Sequence, residues 1–358
     1  MQLNEGKVKT GIAQLTRLLT PPKPDRPAND TTTAEQIQRL DQRRSRWQSV
    51  ANWLAGNPKV AFGLGIVGFF VLVAILGPAI IHHDPNAFSP DVLQPPSAAH
   101  WLGTTQTGQD VFAQVIVGTR VSLFLGFVAG FLATIISVTI GLIAGYFGGL
   151  IDDMLSLFMN IFLVVPALPL AVVLAAYFPF RGPLPVAIIV TITGWAWGAR
   201  VLRAQTLSMR RREFVQAARA SGETTLRIIF VEILPNEIAI IAAGLVGTVI
   251  YAVLAQVGLE FLGLGDVTII SWGTMFYWAQ NNEALLLGAW WWFLAPGFCV
   301  ALLGAGLAFI NFGIDELANP RLRKERSPRR GLSGAQRSAF PSSAPPADSS
   351  AEVRKVAP

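Results

Sequence analysis

Charged residues are scarce in this chain. Asp, Glu, Lys and Arg make up 14% of its 358 residues, whereas apolar residues make up 52%. Soluble domains carry about 25% charged residues, so this composition argues against an ordinary soluble enzyme or binding domain. Cys299 is the single cysteine, which excludes a disulfide framework, and its apolar surroundings predict a small core residue. The deficit of charge indicates a polytopic membrane protein.

A phosphate-binding loop of the form G-x-x-x-x-G-K-[ST] is also lacking, so the sequence predicts no such ATP site in this chain. The net charge of +6 raises the alternative of nucleic-acid binding. The bases lie beside apolar segments, however, as membrane topology signals do, and we expect no nucleic-acid partner. His82, His83 and His100 share one loop without convergent spacing, so solvated side chains are favoured over metal ligands. No catalytic, cofactor-binding or metal-binding set is predicted.

Six apolar segments stand out along the chain. They cover about residues 60–81, 121–147, 150–178, 184–199, 237–263 and 289–314. Most reach the ~20 residues that a helix needs to cross about 30 Å of hydrocarbon. Gly148 and Gly149 separate the second segment from the third as a tight turn. The sequence therefore predicts an all-α membrane protein with six transmembrane helices.

The positions of Lys and Arg predict the orientation of these helices. Residues 1–59 hold ten of them, 200–235 hold seven and 315–358 hold nine, whereas 82–119 and 264–288 hold none. Cytoplasmic loops of membrane proteins carry the excess of Lys and Arg. Both termini and the 200–235 loop are therefore predicted to be cytoplasmic.

Three regions follow from this organisation. Residues 1–58 are predicted to form a cytoplasmic extension, and residues 59–320 a transmembrane domain. Residues 321–358 are rich in Pro, Ser, Ala and Arg, a composition typical of a disordered tail.

The most informative segment is the charged loop 200–235. Three arginines lead into a predicted amphipathic helix that ends near Ala220, and Gly222 can take the left-handed conformation that terminates a helix. Ala217 and Ala218 would form a small flat patch that another surface can approach closely. A second helix is predicted to end at Pro235. Such a pair of helices at a membrane surface is typical of a docking element. A basic amphipathic loop without a partner is the alternative.

The spacing of this loop resembles the coupling loop of ABC importer permeases. In that loop Ala-Ala is followed by Gly four residues after the second Ala, and by Leu-Pro twelve and thirteen residues after that Gly. Ala218, Gly222 and Pro235 keep the spacing, whereas Gln216 replaces the usual Glu. The resemblance implies contact with an ATPase subunit through Glu213, Ala217, Ala218, Gly222 and Pro235.

Further motifs, in order, are similar to those of the C-type permease subunits of dipeptide/oligopeptide importers. They are HWLGT at 100–104, GQDVF at 108–112, GTRVSL at 118–123, GYFGG at 145–149, FLGLG at 261–265, SWG at 271–273 and NPRL at 319–322. Gln109 stands where these subunits usually have Arg, and Gln106 where they prefer Asp. The match covers roughly residues 50–322, and the order and spacing make it specific.

The resemblance implies a type I ABC importer permease fold in a prokaryotic plasma membrane, surrounded by lipid. It implies a heterodimer with a homologous permease subunit and alternating access of a shared solute path. The expected partners are two cytoplasmic ATP-binding subunits, which bind ATP and Mg, and an extracytoplasmic solute-binding protein. This chain would then be non-catalytic and hold no cofactor. The favoured solute is a peptide, with an oligosaccharide or nickel as alternatives.

Glu260 lies near the outer end of the fifth apolar segment, and Gln256 lies one turn earlier on the same helix face. An ionisable residue inside a span suggests a functional site, so both are candidates for the solute path. The alternative for Glu260 is a carboxylate in interfacial water or one paired with a partner subunit. Asp152 and Asp153 are expected to cap the start of the third span.

Aromatic residues cluster at 272–278 and 290–292. The favoured interpretation is an interfacial belt, and the alternative is a surface on which sugar rings stack. Two other classes of function also stay open. A stand-alone secondary transporter would require charged relays in its spans, and a membrane scaffold would bind a cytoplasmic protein through the basic loop without moving a solute.

Overall fold

The computed structural model describes residues 56–81 and 84–318. The predicted tail 321–358 and nearly all of the predicted extension 1–58 lie outside these residues, as do His82 and His83. The described residues are helices and connecting loops, and their β pairing is confined to an isolated bridge between Thr104 and Asp110.

Two kinds of helix make up the described chain. The α-helices are α1 (Pro58–Ile80), α2 (Val111–Phe147), α3 (Gly149–Val164), α4 (Ala167–Tyr177), α5 (Pro183–Gly194), α6 (Ala196–Met209), α7 (Glu213–Ala220), α8 (Thr225–Arg227), α9 (Leu234–Phe261), α10 (Trp272–Asn281) and α11 (Trp290–Ala318). A π-helical turn, Ile228–Ile233, joins α8 to α9.

Five helical segments of the described chain are long and apolar enough to cross a membrane. They are Pro58–Ile80, Val111–Phe147, Pro183–Met209, Thr225–Phe261 and Trp290–Ile314. The α3–α4 pair is a sixth if it counts as one span, although it bends by 93°. The bend falls at Val165, which is extended (φ −69°, ψ 123°) because the ring of Pro166 disfavours helical geometry in the residue before it. An all-α membrane protein is confirmed, and the predicted third segment is a bent pair of helices instead of one straight span.

Several spans extend beyond the apolar segments that predict them. The predicted segment 121–147 belongs to a helix that begins at Val111, where the Asp110 carboxylate accepts a hydrogen bond from the backbone N–H of Ala113 at 2.8 Å. The predicted segment 237–263 belongs to a helix that begins at Thr225. Hydropathy identifies the part of a helix that lies in hydrocarbon. It does not identify the more polar ends by which the same helix continues.

Helix α2 is the centre of the bundle, because its small residues admit neighbouring helices closely. A Cβ added to Gly130 would lie 2.8 Å from the Cα of Val249 in α9. A Cβ added to Gly145 would lie 2.8 Å from the carbonyl oxygen of Arg203 in α6. Small residues at such crossings are typical of membrane helices, where packing rather than hydrophobic burial drives association.

The loop 84–110 and helix α10 form a packed layer at the end of the bundle that is predicted to be outside. Trp272, Trp291 and Trp292 are 0%, 7% and 3% exposed, so they belong to the core of this layer. The prediction of an interfacial aromatic belt is therefore wrong for these three side chains. Trp278 and Trp290, which are 43% and 53% exposed, remain compatible with it. The buried tryptophans result from close tertiary packing that hydropathy does not reveal.

Candidate functional site

Helix α7 is a short helix between two long spans, and its ends follow from the local sequence. Glu213 lies in the first turn, where a carboxylate favours the helix dipole. Gly222 has a φ of 78°, its N–H donates to the carbonyl oxygen of Arg219 at 3.0 Å, and the N–H of Glu223 donates to that of Ala218 at 3.1 Å. This pair of bonds is a Schellman motif. The predicted left-handed conformation of Gly222 is confirmed.

One face of α7 packs on the bundle through a single fully buried side chain, Val215. Val215 belongs to a cluster of buried side chains from α2 and the π-helical turn, namely Leu142, Tyr146, Ile228, Ile229 and Ile233. Ala218 packs against the same cluster and is half-buried. The position of α7 therefore depends on the end of α2 and on the start of the long Thr225–Phe261 segment.

The opposite face of α7 is open. Glu213, Ala217 and Gly222 are exposed, and a Cβ added to Gly222 would meet no atom within 4 Å. Large apolar side chains are exposed beside them: Phe214 is 38% exposed and Leu226 is 68% exposed. Of the residues predicted to contact an ATPase here, Ala218 is the one that also contributes to the core.

Tyr146, near the end of α2, contacts two arginines of this region. Its carbonyl oxygen accepts a hydrogen bond from Nη1 of Arg210 at 3.2 Å, and the guanidinium of Arg219 lies 4.9 Å from the centre of its ring. Gln216 donates from Nε2 to the carbonyl oxygen of Arg210 at 3.2 Å. Two arginines thus connect the short helix to a membrane-spanning helix.

The second half of the loop differs from the prediction, because the helix does not end at Pro235. Thr224 caps its start, accepting a hydrogen bond from the N–H of Arg227 at 3.4 Å, and the helical segment continues to Phe261. Pro235 lies in the first turn of α9, directly after the π-helical turn. Proline cannot donate a backbone hydrogen bond, and a local change to π geometry lets the chain stay helical.

A charged pair joins α3 to α6 close to this region. The Asp152 carboxylate accepts hydrogen bonds from Nε of Arg203 and, at 2.8 Å, from Nη2. Its remaining partner is the hydroxyl of Ser156, which donates at 3.1 Å. Asp152 lies in the first turn of α3 but does not cap it, so the expected capping role is wrong, because the arginine competes for the carboxylate. A bidentate pair of this kind holds two helices in register.

A carboxylate is also buried where α6 meets α9. Glu237 is 0% exposed, and the hydroxyl of Thr206 lies 3.0 Å and 3.1 Å from its two oxygens. Thr206 is itself fully buried against Gly145 of α2. Three helices therefore meet at this contact, and Glu237 lies two residues after Pro235.

A cavity of about 640 Å³ lies in the membrane part of the bundle. It opens beside the bend between α3 and α4 and is walled by α2, α5, α6, α9 and α11. None of its lining residues is charged. Its volume lies in the range of ~300–1,000 Å³ found for pockets that hold small ligands.

The polar side-chain groups of this cavity are hydroxyls, one amide and the indole N–H of Trp197. Tyr251 donates from its hydroxyl to Oγ1 of Thr193 at 3.0 Å, and Ser137 donates to the carbonyl oxygen of Trp195 at 2.6 Å. Asn311 also lines the cavity, and its buried Oδ1 has no hydrogen-bond partner among the described residues. Gly244 and Gly247 leave open space in the wall, since a Cβ at either would meet nothing within 4 Å. The cavity can accept and donate hydrogen bonds without attracting a charge of either sign.

Glu260 and Gln256 lie outside this cavity and are 4% and 1% exposed. Oε2 of Glu260 accepts hydrogen bonds from Nε2 of Gln256 at 2.9 Å and from Oγ of Ser271 at 2.5 Å. The alternative of an interfacial carboxylate in water does not fit this burial. The contacts connect α9 to the start of α10, and a role for either residue in the solute path stays a prediction.

The loop 84–110 contains the one histidine that the structure describes, and it is not solvated as expected. Nδ1 of His100 lies 2.7 Å from Oδ2 of Asp110, the residue that caps α2. Within residues 56–81 and 84–318, no group of three or more His, Cys, Asp or Glu side chains could hold a metal ion.

The sequence analysis did not identify Tyr146, Thr193, Tyr251 or Asn311. Tyr146 belongs to the GYFGG motif and could have been identified by its place at the end of a span next to the basic loop. The cavity residues carry no comparable signal, because the lining comes from helices far apart in the chain. A hydroxyl or amide in an apolar run is usual in membrane bundles.

Two families of known proteins match parts of this chain. Residues 137–324 match the family described as "Binding-protein-dependent transport system inner membrane component". Residues 45–96 match the family described as "N-terminal TM domain of oligopeptide transport permease C". The two matches together include the α7 region, most of the cavity and the first span.

Individual relatives are similar over most of their length. The oligopeptide transport system permease protein OppC of Bacillus subtilis is 33% identical over 285 residues, which cover 78% of this chain and 91% of the relative. The dipeptide transport system permease protein DppC of the same organism is 36% identical, covering 76% and 84%. The probable D,D-dipeptide transport system permease protein DdpC of Escherichia coli is 32% identical, covering 76% and 91%.

These matches bear out the resemblance to the permease subunits of dipeptide/oligopeptide ABC importers, and the apolar helices agree with them. The chain belongs to the family of binding-protein-dependent transport system inner membrane components, in the OppC/DppC group of ABC transporter permeases, and is a multi-pass protein of the bacterial plasma membrane.

Proposed function

We propose that this chain is one of two transmembrane subunits of an ATP-driven importer of peptides. The cavity beside the α3–α4 bend would be its share of the solute path, and α7 would be its contact with a cytoplasmic ATPase. The single observation that carries the proposal is that α7 has two different faces. One face packs on the transmembrane helices through Val215, and the other leaves Glu213 and Ala217 exposed.

The ATPase contact is supported by the geometry of α7. A helix that has one buried anchor and an exposed face of small residues can fit a cleft on another protein. Its buried side contacts Tyr146 of α2 and Ile233 of the π-helical turn, so a displacement of α7 is passed to two spans. Because the chain lacks a phosphate-binding loop of the Walker type, ATP and Mg would be bound by the partner subunits.

A peptide is supported as the solute by the chemistry of the cavity and by the relatives. Peptides expose N–H and C=O groups all along the backbone. The amide of Asn311 can bond with either, and the hydroxyls of Thr193 and Thr248, whose protons are donated to backbone carbonyls, can accept from the N–H groups. An uncharged wall suits a carrier of varied sequences, because it neither selects nor repels a charged side chain. The relatives OppC and DppC are named as oligopeptide and dipeptide transport permeases.

The stand-alone transporter is less well supported. Coupling to protons or sodium ions commonly uses ionisable groups inside the solute path. The cavity lining contains none, and Glu260 is enclosed by Gln256 and Ser271. ATP-driven movement that acts from outside the bundle needs no such group.

The proposal is tested by purifying the tagged full-length chain from its host in mild detergent and identifying the proteins that accompany it. We expect a second six-span permease and two ATP-binding subunits, together with ATPase activity that a peptide-loaded binding protein stimulates. A chain that is folded and monodisperse but carries no ATPase would contradict the proposal. The variant Ala217→Arg should lose the ATPases and keep the permease, whereas Ala87→Arg, on the loop predicted to be outside, should keep both.

A further inference from the structure

Arg120 lies on α2, and none of the described acidic side chains neutralises it. Neither α1 nor α2 contains an Asp or a Glu, and among the described residues Arg120 makes no ion pair or side-chain hydrogen bond. Its side chain is exposed on the surface of the bundle. A guanidinium keeps its charge at all physiological pH values, so a counter-ion from outside the chain would stabilise it.

The depth of Arg120 follows from the packing of α1 on α2. Gly77 of α1 contacts Ile116 of α2, and Arg120 is one helical turn farther along α2. Ile80 ends α1 three residues after Gly77. At 1.5 Å per residue, the Cα of Arg120 lies about 10 Å below the end of α1. Since α1 has 23 residues, about 35 Å, it barely exceeds the hydrocarbon thickness, and the arginine backbone lies within the hydrocarbon edge.

An arginine at this depth reaches upwards to the lipid phosphates with its long side chain. The guanidinium matches a phosphate through two parallel N–H···O bonds. The depth and the missing carboxylate together favour a phosphate of the adjacent leaflet as the partner of Arg120.

The surface beside Arg120 is shaped to hold the rest of a lipid. A groove of about 440 Å³ lies between α1 and α2, and apart from Arg120 its lining is wholly apolar. Its apolar lining includes Val71, Ala74, Ile75, Leu123, Phe124 and Phe127. Ile75 and Phe124 are 68% and 66% exposed, so the groove faces away from the core. An apolar groove with one unpaired cation in its wall is complementary to an acyl chain below a phosphate.

We propose that the α1–α2 groove binds one phospholipid, whose phosphate pairs with Arg120 and whose acyl chain lies along Val71, Ile75 and Phe124. This site is separate from the cavity proposed for the solute and does not depend on which solute is carried. Many apolar side chains of α1 are exposed on the surface of the bundle. A lipid in the groove would contact both α1 and α2 and so hold the two helices together. The occupant is a membrane lipid rather than a free anion, since the groove offers apolar contacts that a free phosphate cannot use.

The test is native mass spectrometry of the complex purified through the full-length chain. The complex is first exchanged into vesicles of equal parts phosphatidylglycerol and monoglucosyldiacylglycerol, an uncharged lipid without phosphate. We expect one retained phosphatidylglycerol per chain, at least fivefold over the glycolipid. Arg120→Gln should lower that retention at least fivefold, and Arg120→Lys should keep most of it.

Control variants separate this site from general lipid contact. Val71→Trp should fill the groove and release the lipid while Arg120 is intact, whereas Leu76→Trp, on another exposed position of α1, should not. Arg181→Gln removes an exposed cation elsewhere and should have no effect. Equal retention in wild type and Val71→Trp would overturn the proposal, as would equal retention in wild type and Arg120→Gln. If Arg120→Gln instead releases the second permease and leaves the lipid count unchanged, Arg120 belongs to a subunit interface and the proposal is wrong.

Discussion

The guanidinium of Arg219 lies 4.9 Å from the centre of the Tyr146 ring. This contact joins α7, a helix of eight residues, to α2, a helix of 37 residues that forms the centre of the bundle. Val215 packs beside it in the same cluster. Under the proposed function, these contacts would pass a displacement of α7 to the membrane-spanning helices. The predictions below follow from them and from the cavity.

Tyr146→Ala is expected to lower ATP-dependent transport at least tenfold while the chain still inserts. The change removes both the ring below Arg219 and a side chain that packs with Val215. Truncation of a buried aromatic side chain costs about 3–5 kcal/mol, and here the loss falls on the attachment of α7. Tyr146→Phe keeps the ring and should transport at close to the wild-type rate. Equal transport by Tyr146→Ala and wild type would show that α7 does not act through this contact.

Gly222→Pro is expected to abolish transport and leave membrane insertion unchanged. Proline requires a φ near −65° and has no N–H, whereas Gly222 has a φ of 78° and donates to Arg219. Gly222→Ala makes a graded control, because it costs about 1 kcal/mol of backbone strain without a clash. Transport assays matched to the amount of protein in the membrane would measure both. Normal transport by the proline variant would show that the turn at Gly222 is not needed for the proposed coupling through α7.

Gly247→Trp is expected to block solute passage, because Gly247 lines the cavity and an indole would occupy much of its space. Gly247→Ala is the matched control. A Cβ at this position meets no atom within 4 Å, and alanine favours a helix by about 1 kcal/mol over glycine. The measurement is peptide uptake together with ATPase activity. Uptake that persists in the tryptophan variant would place the solute path elsewhere.

Asp152→Asn and Arg203→Gln are each expected to lower the free energy of unfolding of the purified chain by about 2 kcal/mol. The first leaves the half-buried Arg203 without its partner, and the second leaves the buried Asp152 without its partner. The double substitution should cost less than the sum of the two. A double-mutant cycle on thermal unfolding in detergent gives the coupling energy. Strict additivity would mean that the ion pair does not contribute to holding α3 against α6.

Glu260→Gln is expected to be tolerated, because a glutamine oxygen can still accept from Ser271 and from Gln256. Glu260→Leu removes the acceptor of the Gln256 amide and leaves the Ser271 hydroxyl only the longer bond to Thr274 at 3.2 Å. It should destabilise the contact between α9 and α10 by about 1–3 kcal/mol. Thermal unfolding checks both. Loss of peptide uptake in a stable Glu260→Gln variant would instead support a place for Glu260 in the solute path.

The parts of the fold that depend on local sequence were predictable, and those that depend on tertiary contacts were not. Gly222 is recognisable because the left-handed end of a helix is a local property. The prediction that a helix ends at Pro235 is wrong, because a π-helical turn just before it lets the helix continue. Gln256 is recognisable as a partner of Glu260 because it lies one turn earlier on the same helix face. The second partner, Ser271, lies in a loop beyond the end of the span, so no helical periodicity points to it.

The candidate site was predictable to a similar extent. Exposure of Glu213 and Ala217 could be expected from the amphipathic pattern of α7, whereas the anchoring of α7 on Tyr146 required the relative position of two helices. The cavity depends on the angle of the bend at Pro166 and on the open space beside Gly247. Both are known only once the helices are packed together. The orientation of the termini rests on the distribution of Lys and Arg and stays a prediction.

The most direct test of the account is ATP-dependent uptake of a labelled oligopeptide by proteoliposomes that contain the complex purified through this chain, with its binding protein supplied. The account predicts uptake that requires ATP, that is lost in Ala217→Arg together with the bound ATPases, and that is retained in Ala87→Arg. Uptake that proceeds without ATP, or that is unchanged in Ala217→Arg, would contradict the central claim that ATP hydrolysis drives peptide import through α7.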